Sequence, residues 1–393
     1  MDGAWALLAL ELNPLTLPQQ LVNGLLTGAI YALVALGYTM VYGVLRLINF
    51  AHGEVFMLGA YTALLTSWTL GYFPNNPDLA TKTGTPLDLV IMILMAMTVC
   101  ALLGVAIERF AYRPLRNQSR TVALITAIGV SLFLQFLTPI FLPASPPPSI
   151  SDRVNPYSQP VSVTLVPGPA ELERQVPALR EKYETAKAKF DTLLETEKDQ
   201  FNLSPEGRVI RTEFQEAERE YNTLKGELAS KSVMVNVTVG KLVMLGTVLV
   251  LMAMLRYLVL KTPMGRAMRA VSHDFDSAGL MGINVNKVIT FTFALGSALA
   301  GAGAMMLATF EGTAINGFFG VQPGIKAFVA AVLGGIGNIP GAVLGGILMG
   351  VAEALVTWAG FSGYKDAVAF IILIVILLFR PGGLLGSNKV EKV

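Results

Sequence analysis

Long apolar runs separated by short polar or basic stretches repeat along most of the chain, and one polar tract interrupts them. A membrane span needs roughly 20 mainly apolar residues. Residues 20–45, 55–72, 88–108, 121–142, 240–260 and 287–310 meet or approach that requirement, and 366–379 is a shorter final run. A further run, 324–358, is broken by Gly334-Gly-Ile-Gly-Asn-Ile-Pro-Gly341. A break frees backbone groups and is tolerable only where protein or a water-lined cavity covers them. The pattern predicts an all-α polytopic membrane protein of eight or nine transmembrane segments, one broken near Gly334 to Gly341. Residues 324–336 either cross fully or dip back. Glycines four apart at Gly24/Gly28, Gly341/Gly345 and Gly346/Gly350 predict close helix packing.

The connecting stretches set the orientation. Residues 108–120 carry four arginines and one acid, which makes that loop cytoplasmic by the positive-inside rule. Two spans later, 261–286 is also basic at its start and returns to the cytoplasm. Counting backwards puts the N-terminus outside, and Arg380, Lys389 and Lys392 agree with a cytoplasmic tail. The first seventeen residues lack a basic n-region, so no cleaved signal peptide is expected.

The polar tract, 143–235, falls between the fourth and fifth spans and is therefore extracytoplasmic. It divides the permeating part of the chain into 18–142 and 236–393. From Glu171 to Lys231 it holds 11 Lys/Arg and 14 Asp/Glu, the composition of a solvated segment. Leu172, Val176, Leu179, Tyr183, Ala186, Phe190 and Leu193 follow alternating four-three spacing. Ile210, Phe214, Ala217, Tyr221, Leu224 and Leu228 repeat it. These are two heptad seams, and Ser204-Pro205 is a helix start. An antiparallel helical hairpin, a coiled coil, is expected, with Pro177 kinking the first arm or marking its true start. Val161, Val163 and Leu165 alternate with polar residues, as do Val233, Val235, Val237 and Val239, so a β ribbon at the hairpin's base is expected. The insert is either a tolerated surface insertion or a contact arm for an outside partner.

Composition narrows the chemistry. Hydrophobic residues make up 53% and charged ones 14%, against about 25% charged in soluble domains. One cysteine, Cys100, and two histidines, His52 and His273, exclude a disulfide framework and a cysteine- or histidine-rich metal centre. No GxxxxGK[ST] loop occurs, and no nucleophile elbow or carboxylate pair sits in the spans. Neither an enzyme nor a bound cofactor or metal is expected.

What remains is a set of polar residues near the membrane and one cytoplasmic stretch. A charged side chain deep in a span costs about 2.5–3.5 kcal/mol on insertion scales and so faces a cavity or partner. Asn49, His52 and Glu54 lie at the cytoplasmic mouth of the first two spans, as a gate, a helix latch or snorkelling groups. Lys326 and Glu311 flank an outer loop, where they meet a zwitterionic solute or stay solvated. Glu353, Lys365 and Asp366 are expected solvated at the outer boundary. Gly337 and Asn338 sit in the break. In 261–286, Pro263 stops one helix, and Arg266 and Arg269 follow on a short helical run whose small residues, Ala270, Ala278, Gly279 and Gly282, let another protein approach.

Tyr31-Ala-Leu-Val-Ala-Leu-Gly-Tyr-Thr-Met-Val-Tyr42 and Ile48-Asn-Phe-Ala-His-Gly-Glu54 resemble the permeases of branched-chain amino-acid ABC importers, of the LivH type. The likeness continues through Thr262-Pro-Met-Gly-Arg-Ala267, Gly282-Ile-Asn284, Lys326-Ala-Phe-Val-Ala-Ala-Val-Leu-Gly-Gly-Ile-Gly337, Ile339-Pro-Gly-Ala342 and Ala352-Glu-Ala354. The insert departs from the family's short loop. The resemblance implies a bacterial inner-membrane subunit moving branched-chain or other neutral amino acids. Two cytoplasmic ATPase subunits, a second related permease subunit and a periplasmic amino-acid-binding protein would complete the importer. It also implies a coupling helix at about 265–282, with Gly265, Arg266, Ala267, Arg269, Ala270, Asp274, Ala278 and Gly282 as coupling residues. Asn49, His52, Glu54, Lys326, Gly337 and Asn338 are the gate or pathway candidates. The rival readings are a urea or amide importer permease and a stand-alone secondary transporter or channel.

Overall fold

The computed structural model describes residues 14–72, 84–116, 118–143, 157, 159–197, 204–311 and 313–386. Expectations placed on the first residues and on Lys389 and Lys392 lie outside them. In chain order the helices are α1 (Leu17–Leu45), α2 (His52–Thr69), α3 (Pro86–Ile107) and α4 (Arg120–Phe141). Strand β1 (Pro160–Val166), α5 (Ala170–Glu197), α6 (Pro205–Lys231) and β2 (Val233–Thr238) follow. Then come α7 (Val239–Lys261), α8 (Pro263–His273), α9 (Phe275–Leu280), α10 (Val285–Phe310), α11 (Val321–Gly334), α12 (Ile339–Trp358) and α13 (Lys365–Phe379). Two compact units result, one of residues 20–160 with 237–393, the other of residues up to 19 with 161–236.

In the larger unit, α1, α3, α4, α7, α10, α12 and α13 are long and apolar enough to cross a membrane. Local chemistry sets where they begin. Thr85 and Asp88 form a capping box ahead of Pro86 on α3, and Thr238, Asn284 and Asn338 cap α7, α10 and α12 with side-chain oxygens. Helices α1 and α10 are apolar on every side and are buried on nearly every side. Helices α4, α7 and α13 leave Phe133, Phe136, Leu249, Val250, Ile374 and Leu378 facing outward, the surface a bilayer or an apolar partner covers.

Glycine sets the helix spacing. Gly24 and Gly28 of α1 meet Gly350 and Gly346 of α12, and a Cβ on either α1 glycine would stand 2.8 Å from the facing carbonyl oxygen. Between α3 and α10 the same part is played by Gly301 against Ala96 and Gly104 against Ser297. Cys100 is buried and reaches the Val55 carbonyl at 3.3 Å, an inert packing thiol.

The expected break at Gly334 to Gly341 is a reversal instead. Gly335 and Gly337 have φ of 107° and 92°, open to glycine alone at little cost. They turn α11 back into α12, so that Gly334 lies against Gly341. The two helices are an antiparallel pair, not one interrupted span.

In the smaller unit, Phe190 stacks on Phe214 at 5.0 Å and Tyr183 on Tyr221 at 5.3 Å. Partners that climb on one helix as they descend on the other define antiparallel packing. Lys182 pairs with Glu220 in the same register at 2.6 Å. Pro177 lies inside α5 rather than at its start. Strands β1 and β2 form a two-stranded sheet, and the Asn236 backbone N–H donates to Gln19 Oε1 at 2.6 Å.

Candidate functional site

Two helices begin inside the bundle rather than at its surface. After Leu45 the chain turns at Arg46, whose φ is 53°, and runs back inward. Helix α2 starts where the His52 ring lies against Gly37, which itself meets Gly296, and edge-on to Tyr38, 4.5 Å between centroids. At 1.5 Å per residue, that is about 12–16 Å in from the ends of α1 and α10. Gly59 then packs on Gly301, so α2 runs alongside α10. Helix α11 also starts at this depth, because Gly320 and Gly324 close on Gly53, and runs the opposite way to its turn at Gly335. The first turns of α2 and α11 therefore meet inside the apolar unit. Glycine at 53, 320 and 324 permits it, since a Cβ at Gly53 would stand 2.8 Å from the Gly320 oxygen. Neither helix has a side-chain cap.

Beside this junction is a cavity of about 240 Å³. Tyr38, Glu54, Ser131, Gln135 and Phe328 line it, together with Gly53, Gly320 and Gly324. Helix N-termini carry partial positive charge, and Glu54 brings a negative one. Polar groups converging in an otherwise apolar hollow are the usual make-up of a small-molecule site.

The gate and pathway candidates separate in space. Glu54 lines the cavity and His52 is fully buried beside it. Asn49, in the inward-running segment, accepts from Tyr112 Oη at 3.2 Å. These positions lie inside the bundle and not at a rim, because the segment before α2 re-enters. Gly337 and Asn338 are elsewhere. Asn338 caps α12 through Gly341 N at 3.0 Å and donates to the Leu385 carbonyl at 2.6 Å, which ties down the reversal.

Lys326 is not available to a solute. It is 5% exposed, and its Nζ lies 2.8 Å from Glu353 Oε1 and 2.7 Å from Asp366 Oδ1. Tyr31 Oη donates to Glu353 Oε2 at 2.9 Å. Glu353 is thus a buried partner and not a solvated boundary residue. Four elements, α1, α11, α12 and α13, are pinned at one point. Glu311 is occupied as well, by Lys241 at 3.1 Å.

At the arginine-rich end, α3 continues into a π-helical turn, Glu108–Tyr112. Such turns insert a residue and re-aim side chains. Here the turn carries Glu108, fully buried, against Arg113 at 2.8 Å and against Arg116. Thr290 Oγ1 of α10 adds a hydrogen bond at 2.9 Å. The loop after α3 is thereby fixed to the first turns of α10, immediately after α8 and α9. Those two short helices hold the coupling candidates. Arg266, Arg269 and Gly282 are exposed, and Ala267 and Ala270 half-buried. Arg269 donates to the Val259 carbonyl. Asp274 caps α9 by accepting from the N–H groups of Asp276 and Ser277, and those bonds hold its carboxyl below the usual carboxylate range. Gly265 and Ala278 face inward, Gly265 against the carbonyls of Leu258 and Val259, which removes both from any docking face. Sequence reasoning passed over Leu280 and Met281, 89% and 83% exposed. An apolar pair in a polar stretch was the available signal.

Residues 20–377 match the family model described as branched-chain amino acid transport system / permease component. The chain belongs to this family. It is 37% identical over 375 residues to the high-affinity branched-chain amino acid transport system permease protein BraD of Pseudomonas aeruginosa, covering 95% of this chain and 97% of that protein. Against the corresponding permease protein LivH of Escherichia coli K12 it is 36% identical, with the same coverage. A weaker and partial likeness, 28% over 142 residues, links it to the ribose import permease protein RbsC of Haemophilus influenzae, over 34% of this chain and 42% of that one. No solved structure matches. The protein is thus a multi-pass membrane permease of an amino-acid ABC importer. Its family motifs fall where the geometry is tightest: one runs through α1 into the inward-running segment, and another contains Lys326 and the reversal.

Proposed function

We propose that this permease passes branched-chain or related neutral amino acids inward, driven by ATP hydrolysis on two separate cytoplasmic subunits. A second related permease subunit and a binding protein complete the importer. The carrying observation is the pair of short helices at the arginine-rich end, with Leu280 and Met281 standing free of the chain's own packing. The positive-inside rule makes that end cytoplasmic. An apolar pair in water marks a surface built for a partner. Arg266, Ala267, Arg269, Ala270, Asp274 and Gly282 frame it, and the Glu108 cluster carries its movement into α3 and α10. In this reading the insert that holds α5 and α6 follows an outward-running span and is periplasmic, and α2 and α11 together complete one further crossing.

Tagged protein drawn from native membranes is expected to bring down two ATPases and a second permease. Vesicles holding that complex and its binding protein should import leucine only with ATP. A chain that comes out alone and moves leucine without ATPase subunits would end this reading.

The helical insert is ancillary to transport. Gly168 lies against Leu228, so the ends of an excision are close together. Replacing residues 168–231 by a short Gly/Ser bridge is expected to leave membrane insertion and complex assembly intact, read by membrane fractionation and co-purification. Loss of either would make the insert structural.

A further inference from the structure

Among the described residues, Glu54 is a buried acidic group that the packing leaves partly unanswered. It is 5% exposed, and its Oε2 has no hydrogen-bond partner. Ser131 of α4 and Glu54's own backbone N–H reach its carboxylate, but these neutral donors do not balance a full charge in this setting. Among the described residues, no lysine or arginine lines the cavity. Lys326, on the neighbouring helix, is committed to Glu353 and Asp366. A carboxylate at membrane depth persists where it meets a cation or a functional cavity, and among the described residues lining this cavity none supplies the cation.

The same hollow offers the opposite polarity a few ångströms away. Helix α11 begins at its wall without a side-chain cap; Val321 N–H is taken by the Phe318 carbonyl and Pro323 has no N–H, so the turn contributes chiefly the partial positive charge of a helix end. Half-helices that start at membrane depth present such turns to anionic groups. Phe50, Phe328, Ile128 and Leu132 supply apolar walls. A negative side chain, a positive helix end and an apolar wall in one small cavity match one class of solute.

We propose that this cavity is a binding station for the zwitterionic head of the transported amino acid. Glu54 pairs with the ammonium group, the first turn of α11 faces the carboxylate, and the solute's hydrocarbon chain lies against Phe50 and Phe328. The assignment rests on the amino-acid permease reading and adds a named contact to it. Gln135 and Ser131 complete the polar rim from α4, so a shift of α4 against α2 and α11 would open or close the station.

The test uses the whole importer in lipid vesicles, with its partner subunits and binding protein. Leucine uptake and ATP hydrolysis are measured together for wild type, Glu54→Gln and Glu54→Asp. Losing one charge-assisted contact is expected to cut uptake by roughly 10- to 100-fold in Glu54→Gln, with partial return in Glu54→Asp. Complex assembly and binding-protein-stimulated ATP hydrolysis should stay near wild type in both. A second measurement omits the binding protein and follows radiolabelled leucine bound to the purified complex. Unlabelled leucine should compete far better than 4-methylpentanoate, the same skeleton without the amino group, and Glu54→Gln should erase that preference.

Unchanged uptake and an unchanged preference in Glu54→Gln would overturn the proposal. So would failure of the complex to assemble, which would place the counter-charge on the second permease, or collapse of ATP hydrolysis along with uptake, which would make Glu54 part of the coupling. A wild-type importer that moves no leucine at all would instead remove the permease reading, and the station with it.

Discussion

Lys326→Met is expected to destabilise the transmembrane unit strongly. It removes the cation from a cluster in which Glu353 is buried and Tyr31 is already bound to the far carboxylate oxygen. Breaking a buried ion pair from one side typically costs about 3–5 kcal/mol, because the surviving charge stays desolvated. Asp366 contributes less of that penalty, since its side chain is 45% exposed and water answers it. The purified variant should therefore melt well below wild type, followed by the temperature at which it leaves the monodisperse peak on size-exclusion chromatography. The double variant Lys326→Met/Glu353→Gln should recover much of the loss, as removing both charges leaves nothing uncompensated. If the double variant is no better than the single one, Lys326 is held by packing and not by charge.

Gly346→Ala is expected to disrupt the contact between α1 and α12. The added methyl would fall on the backbone nitrogen and Cα of Ala32, neither of which can rotate aside. The helices must part, and parting also opens Gly24 and Gly28 from their partners across the seam. Overpacking of this kind costs about 1–3 kcal/mol for one methyl, and Gly346→Leu should yield little folded protein. Gly129→Ala on α4 and Gly246→Ala on α7 are the controls. Each has open space around the new Cβ and gains helix propensity worth about 1 kcal/mol. Expression and thermal stability that fall equally at all three sites would remove the seam's special place.

Much of this architecture was legible because it depends on local pattern. Hydropathy located the long helices, as apolar composition is required of every residue that meets lipid. The four-three spacing of Tyr183, Phe190, Phe214 and Tyr221 anticipated their stacking, since helical periodicity puts them on one face. The inward starts of α2 and α11 were not legible. They depend on Gly53 meeting Gly320, a contact between distant parts of the chain that no window contains. Lys326, Glu353 and Asp366 looked like boundary charges for the same reason: each one's environment is made by the other two. The glycine-rich stretch at Gly335 and Gly337 was legible as an interruption, but not as a crossing or a return, because composition reveals flexible backbone and not the direction it takes. Gly265 and Ala278 show a related limit, since small residues serve equally to admit a partner and to let a chain pack on itself.

The inward start of α2 also has a bearing on how the protein is made. Its polar first turn is closed on by Gly320 and Gly324, and its middle by Gly301, all on segments synthesised long after it. At about 5–20 residues per second, on the order of ten to fifty seconds separate the emergence of α2 from that of its neighbours. Through that interval α1 covers His52 only on its Gly37 and Tyr38 side, Gly320 and Gly324 have not yet closed on the first turn, and the insert is being translated. The nascent permease thus waits in the membrane with a half-built interior, and this interval is when a chaperone or insertase has most to protect.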